Sequence, residues 1–252
     1  MNALNNSTLV FFVALVLLLA ATRAGMFLRR RQDAGENLHS DLGVITSSSL
    51  AILGLIIGFS FSMAISRYDQ RKDLEQAEAN AIGTEYLRAE LLPVGDADRI
   101  KPLLLQYIDL RISFYTAPSL ELAHQQLDKP TDQVEEKLWS VIRAAAASTP
   151  TPITSLAVAG MNDVFSSQDS TLAGRYNRIP LAAWALLATI ALCSAMLVGY
   201  GANRPSSKLF LVLPLLISIS CFLIADIESP RGGIIRIYPQ SLQRLSQTLR
   251  GQ

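Results

Sequence analysis

Apolar and polar residues fall along this chain in long blocks. An apolar run at residues 9–22 is preceded by a tail without Lys or Arg and followed by Arg23 and the cluster Arg29, Arg30 and Arg31. Residues 42–65 carry no ionisable side chain, and at 1.5 Å rise per residue that run can cross a hydrocarbon core of ~30 Å. Two more apolar blocks follow at 180–200 and 208–225, with Pro214 inside the second. The pattern predicts an all-α membrane protein with four transmembrane helices, the first over residues 7–28. A cleaved signal peptide carries its positive charges ahead of the apolar run, so a retained first span is expected. Pro180 suits a first helical turn, and Pro214 predicts a kink that neighbouring helices can compensate.

Between residues 67 and 179 the pattern changes to that of a helical extramembrane insertion. Residues 67–92 are good helix formers that continue the second span and stop at Pro93 and Gly95. A second insertion helix, capped by Asp96 or Asp98, places Ile100, Leu103, Leu104, Tyr107, Leu110 and Phe114 on one face. A short third helix is expected at 120–127 and a fourth at 131–147, with Val134, Leu138, Val141, Ile142 and Ala145 in a stripe. Ser148 to Pro152 breaks it, and a fifth helix over 153–175 leads back to the membrane. Strand signals are absent. The expected organisation is 7–66 for the first two spans, 67–179 for the insertion, 180–226 for the last two spans and 227–252 for a C-terminal tail.

Composition sharpens this picture. Half of the 252 residues are hydrophobic and 17% are charged, below the ~25% of ordinary soluble domains. A net charge of +1 gives no basic field to gather nucleic acid. Cys193 and Cys221 sit at different depths on consecutive spans joined near Asn203, too far apart for a disulfide, and are expected to be buried thiols. His39 and His124 are the only histidines, and the Glu-x-x-His step of a di-metal bundle is missing, so no metal site and no cofactor are expected. Nucleophile motifs, phosphate-binding glycine loops and dinucleotide fingerprints are absent, which speaks against an enzyme. Gly199-Tyr200-Gly201 lacks the preceding residues of a potassium filter and reads as a helix end.

Three places can carry function. Ser47, Ala51, Gly54, Gly58, Ser62 and Ser66 form a stripe of small residues on the second span, open to three uses: packing within the protomer, a contact between copies, or a pore lining. In the insertion Glu75, Glu78, Glu85 and Glu90 accompany Asn80 and read as solvated charges pairing with Lys72 and Arg88. Arg111 is expected to lay its stem on the core and pair with a carboxylate. Asp226 and Glu228 lie at the interface beside a turn forced by Pro230, Gly232 and Gly233; Asp226 either ties down Arg231 or a helix end, or serves ion conduction. Charge does not fix orientation. Short connectors with Arg23, Arg29, Arg30, Arg31, Arg204 and Lys208 favour a cytoplasmic first connector over the tail with Arg231, Arg236, Arg244 and Arg250, whereas the insertion ends add Arg67, Arg71, Lys72, Arg175 and Arg178 opposite.

Residues 53–64, Arg67-Tyr68, residues 78–84, Tyr86-Leu87-Arg88, Leu91-Leu92-Pro93, the Tyr107 to Arg111 step and Asp226-x-Glu228-x-Pro230-x-x-Gly233 together resemble the bestrophin-like domain family of bacterial and plant membrane proteins. Glu228 stands where that family more often has aspartate. The resemblance implies kinship with bestrophins, pentameric anion channels with four spans per subunit and a cytoplasmic insertion. It thus implies a homo-oligomer in the lipid bilayer that conducts small anions, with the second span beside the axis. No bestrophin pore neck or calcium clasp maps onto these residues. The rival expectation is a non-transporting scaffold or sensor whose insertion binds another protein. The absence of a presequence points to a multi-pass protein of a bacterial plasma membrane.

Overall fold

The computed structural model describes residues 6–30, 36–118, 120–202, 208–229 and 233–251, and among them there are helices and no strand. Arg31, Asn203, Arg204, Pro230, Arg231 and Gly232 lie outside the described residues. The helices are α1 (Ser7–Arg30), α2 (Glu36–Ala89), α3 (Val94–Thr116), α4 (Leu120–Ser148), α5 (Pro152–Tyr176), α6 (Leu181–Tyr200), α7 (Val212–Glu228) and α8 (Gln240–Arg250), with a 3₁₀ turn, Lys208–Leu211, ahead of α7. Two compact units emerge: Met1–Arg67 with Arg178–Ile235, and Tyr68–Asn177 with Arg236–Gln252. Helix α2, of 54 residues, contributes to both.

In the first unit α1 packs on α6 and α7 around Leu18, Leu187, Ala191, Ala195 and Ile217. The close crossing of α1 and α6 depends on two glycines. A Cβ on Gly25 would lie 2.1 Å from the Met196 carbonyl oxygen, and one on Gly199 2.0 Å from that of Thr22. Small residues let helix backbones meet in this way, which compensates in lipid for the missing hydrophobic drive between helices. Ser49 of α2 shares a 2.6 Å hydrogen bond with Ser194 of α6.

Among the described residues three helices are long and apolar enough to cross a membrane; their apolar stretches fall in α1, the first half of α2, and α6. The expected fourth span is not of that kind, because its α-helical part has 17 residues and begins only after the four-residue 3₁₀ turn. Pro214 lies in the first turn of α7, where its missing N–H costs no helical bond, and Ser218 donates to its carbonyl at 2.7 Å. Pro180 is the N-cap of α6 rather than part of its first turn. Cys221 is buried, but Cys193 is exposed within the protomer, contrary to the expectation of two buried thiols.

In the second unit the latter part of α2 joins α3, α4, α5 and α8 around Ile82, Ile100, Leu104, Tyr107, Phe114, Leu138, Ile142, Met161 and Leu242. Three expectations are corrected. The short third and the fourth insertion helices are one helix, α4, which carries Pro130 internally; Thr131 donates to the Leu127 carbonyl at 2.6 Å next to the gap that proline leaves. Neither Asp96 nor Asp98 caps α3, whose N-cap is Pro93 with no side-chain cap. The tail is not separate, since α8 packs on α3. Its N-cap, Pro239, offers no side-chain acceptor. Glu75 of α2 supplies one instead, accepting the Leu242 N–H at 3.0 Å, so a carboxylate meets the positive end of the helix.

Candidate functional site

The membrane half of α2 is the least covered of the apolar helices. Only 6% of its most apolar stretch is buried in the protomer, against 17% for α1 and 22% for α6. Ser47, Ala51, Gly54, Gly58, Ser62 and Ser66 are all exposed. A Cβ added at Gly54 or Gly58 would meet nothing within 4 Å. Among the described residues nothing in the protomer packs on Gly54 or Gly58, and the close crossings of the unit are made by Gly25 and Gly199 instead. Ser47 donates back to the Gly43 carbonyl at 2.8 Å, which keeps its hydroxyl on its own helix.

At the end of α7 two buried carboxylates tie chain ends together. Asp226 accepts the Ser7 hydroxyl at 2.8 Å and the backbone N–H groups of Ile234 (2.9 and 3.0 Å) and Ile235 (2.9 Å). It holds the start of α1 and the chain that leaves α7, and Gly233 packs so closely that an added Cβ would lie 2.7 Å from its Cγ. Glu228 accepts the Ile179 N–H ahead of α6 and the Trp184 indole N–H at 3.4 Å. Both side chains spend their lone pairs on the fold, which speaks for anchoring rather than conduction.

The insertion glutamates depart most from expectation. Glu75, Glu78 and Glu85 are buried, while Asn80 is exposed. The reason is register. Glu75, Glu78, Ile82, Glu85 and Ala89 recur at spacings of three and four, so three carboxylates occupy the face that α2 turns to the bundle core.

Glu78 is the centre of a polar network. Arg111 of α3 donates to both of its oxygens through Nε and Nη2, and Tyr115 and Thr171 each donate to Oε2 at 3.1 Å. Arg111 and Arg175 then lie on Phe114, their guanidinium carbons 4.7 and 4.8 Å from the ring centroid, and Arg175 also lies 4.3 Å from the centre of Tyr115. Nearby, Tyr107 donates to Gln168 at 2.6 Å. Burial would pull Arg111 down, but Glu78 more than reverses this, whereas Arg175 is lowered chiefly by burial. Burial likewise pushes the Tyr107 and Tyr115 phenols up, so both remain donors. The network clamps α2, α3 and α5 together with both oxygens of Glu78 engaged, the kind of added hydrogen bonding under which a buried ion pair is tolerable.

Sequence reasoning singled out Glu78 and Arg111 but missed Thr171, Arg175 and Gln168. The signal was present: Ala157, Met161, Val164, Gln168, Thr171 and Arg175 follow one helical stripe on α5 and are all buried. The stripe changes from apolar to polar along the helix, and a search for apolar periodicity alone stops at Val164. Among the described residues no group of three or more His, Cys, Asp or Glu side chains is placed to hold a metal ion.

None of the curated proteins matches the chain. Solved structures do. A point variant of a bacterial bestrophin homolog from Klebsiella pneumoniae is 14% identical, with a TM-score of 0.64 over 96% of this chain and 98% of that one. A second variant of that homolog, also 14% identical, reaches 0.63 over 98% and 99%. A further membrane protein variant is 12% identical with a TM-score of 0.65, over 96% and 98%. At these identities the likeness establishes the fold. The bestrophin-like domain family matches residues 10–242, nearly the whole chain, and the chain belongs to that family.

Proposed function

We propose that this chain assembles as a homo-oligomeric membrane channel of the bestrophin kind, with the membrane half of α2 beside the symmetry axis and small anions as the conducted ions. The observation that carries this reading is the bare line Ser47, Ala51, Gly54, Gly58 and Ser62, which the protomer leaves uncovered. A helix with small side chains along one exposed line can approach its copies closely or leave room for a permeating ion. Family membership supports the channel, and the anion follows from the resemblance to bestrophins.

In this reading the 3₁₀ turn and α7 act together as the fourth span. Four 3₁₀ and 17 α-helical residues extend about 33 Å, enough for a ~30 Å core. The host membrane is a bacterial plasma membrane, and residues 67–179 form the extramembrane insertion. Recording the purified protein in planar bilayers tests the proposal. Currents carried by chloride and blocked by Gly54→Leu or Gly58→Leu are expected, and electrically silent, monomeric protein would refute it.

A scaffold or sensor is the second reading, favoured by Leu87, Leu91 and Val94, which are 55%, 58% and 75% exposed where α2 gives way to α3. Crosslinking in native membranes followed by pull-down through the insertion discriminates. Capture of only the chain's own copies counts against this reading.

A further inference from the structure

Among the described residues, two carboxyl groups of the second unit have buried oxygens without any hydrogen-bond partner. Both Glu85 oxygens and Glu135 Oε1 are in this position. Leaving such an atom unpaired is costly, and far more so when it carries charge. Both groups face α5. Glu85, on α2, lies over Gly160 so closely that a Cβ there would sit 1.9 Å from its Oε2. Glu135, on α4, faces Gln168, whose side-chain hydrogen bond favours the ionised form without outweighing burial.

The charged neighbours offset the cost of burying an anion only in part at either position. Those facing Glu85 are Arg88 from α2 and Asp163 from α5. The Arg88 Nη1 is 3.9 Å from Glu85 Oε2, beyond hydrogen-bond reach, and 3.8 Å from Asp163, so its charge is shared. Those facing Glu135 are Asp132 on α4, Asp169 on α5 and Arg111 on α3, and that arginine is already committed to Glu78.

We propose that α5 is a pH-responsive element of this bundle, seated on α2 and α4 while Glu85 and Glu135 are uncharged and loosened when they ionise. Burial pushes Glu85 up to about 8 and Glu135 up to about 7, and both groups lie outside the apolar stretches of the spans. The packed bundle holds these protons at pH values where an unfolded glutamate, ordinarily near 4.5, has released them. Its stability therefore falls as pH rises from about 4.5 to about 8 and levels off above that. The clamp of Thr171 and Arg175 on Glu78 and Tyr115 does not depend on these protons, so the response is confined to the part of α5 ahead of it, residues 152–168. The inference does not depend on whether the chain conducts ions.

Hydrogen exchange of the full-length protein in detergent at pH 6 and pH 9, corrected for the intrinsic pH dependence of exchange, tests it. The amides of residues 155–168 are expected to lose protection by about tenfold or more at the higher pH, since each group contributes up to one tenfold step per pH unit between pH 6 and its seated pKa. Glu85→Gln combined with Glu135→Gln is expected to abolish that loss, and Glu90→Gln, an exposed glutamate paired with Lys101, to leave it unchanged. Equal α5 protection at both pH values, or a loss that persists in the double variant, overturns the proposal. Infrared absorption of the unmodified protein provides a readout that needs no variant. A protonated carboxyl band present at pH 6 and gone by pH 9 is expected, and its absence at pH 6 overturns the proposal equally.

Discussion

The two halves of α2 invert each other. Its membrane half, residues 42–66, bears no charge and is largely exposed, with Leu55 and Phe59 56% and 61% exposed. Its second half is rich in charge, and three of its glutamates are inside. The same helix meets two solvents, and solvent decides which side chains need cover. In lipid an exposed apolar residue costs nothing and close approach depends on small residues. In water apolar burial drives packing, and a buried carboxylate persists only with a specific task. Glu75 caps α8, Glu78 clamps α3 and α5, and Glu85 meets no hydrogen-bond donor among the described residues.

The contrast can be broken first at the clamp. Removing one partner from a buried pair leaves the other charge unpaired, so Arg111→Met is expected to cost about 3–5 kcal/mol, measured as a fall in thermal midpoint in detergent. Replacing Glu78 and Arg111 together with leucines is expected to cost much less, because no charge is stranded. Next comes the α1–α6 crossing. Gly199→Leu would drive a side chain into the Thr22 backbone, and overpacking of this kind costs about 1–3 kcal/mol or more. Glu75→Ala removes the cap of α8 at about 1 kcal/mol, and limited proteolysis should then release the C-terminal peptide more readily. The smallest effect on the protomer belongs to Gly54→Leu, within about 0.5 kcal/mol because nothing lies near that Cβ, while assembly or conduction is lost. A Gly54→Leu protein as destabilised as Gly199→Leu would show that the membrane half of α2 is covered after all.

How much of this could be read in the sequence follows the same division. Apolar runs near twenty residues are unambiguous in α1, α2 and α6, because few other environments tolerate them. The last block was harder, since the chain enters it through a 3₁₀ turn and leaves it through Asp226 and Glu228, both buried. In the insertion the helices were legible but not their contents. Glutamates on a helix read as solvated, and only the three-and-four spacing of Glu75, Glu78, Ile82, Glu85 and Ala89 shows that they share the core face. Arg111 and its need for a carboxylate followed from an arginine beside an apolar stripe, but which carboxylate depends on how α2 and α3 pair, which no local pattern specifies. Helix α8 was concealed by its brevity, although Leu242, Leu245 and Leu249 have helical spacing. Helix α4 runs through Pro130, although a mid-helix proline normally ends a helix.

The bare line on α2 is the centre of the account, and the mass of the detergent-solubilised particle, measured by light scattering corrected for bound detergent, tests it most directly. A closed ring of several copies, about five by the bestrophin resemblance, is the predicted result, with Gly54→Leu shifting the protein towards smaller species. A stable monomer that Gly54→Leu leaves unchanged would contradict it.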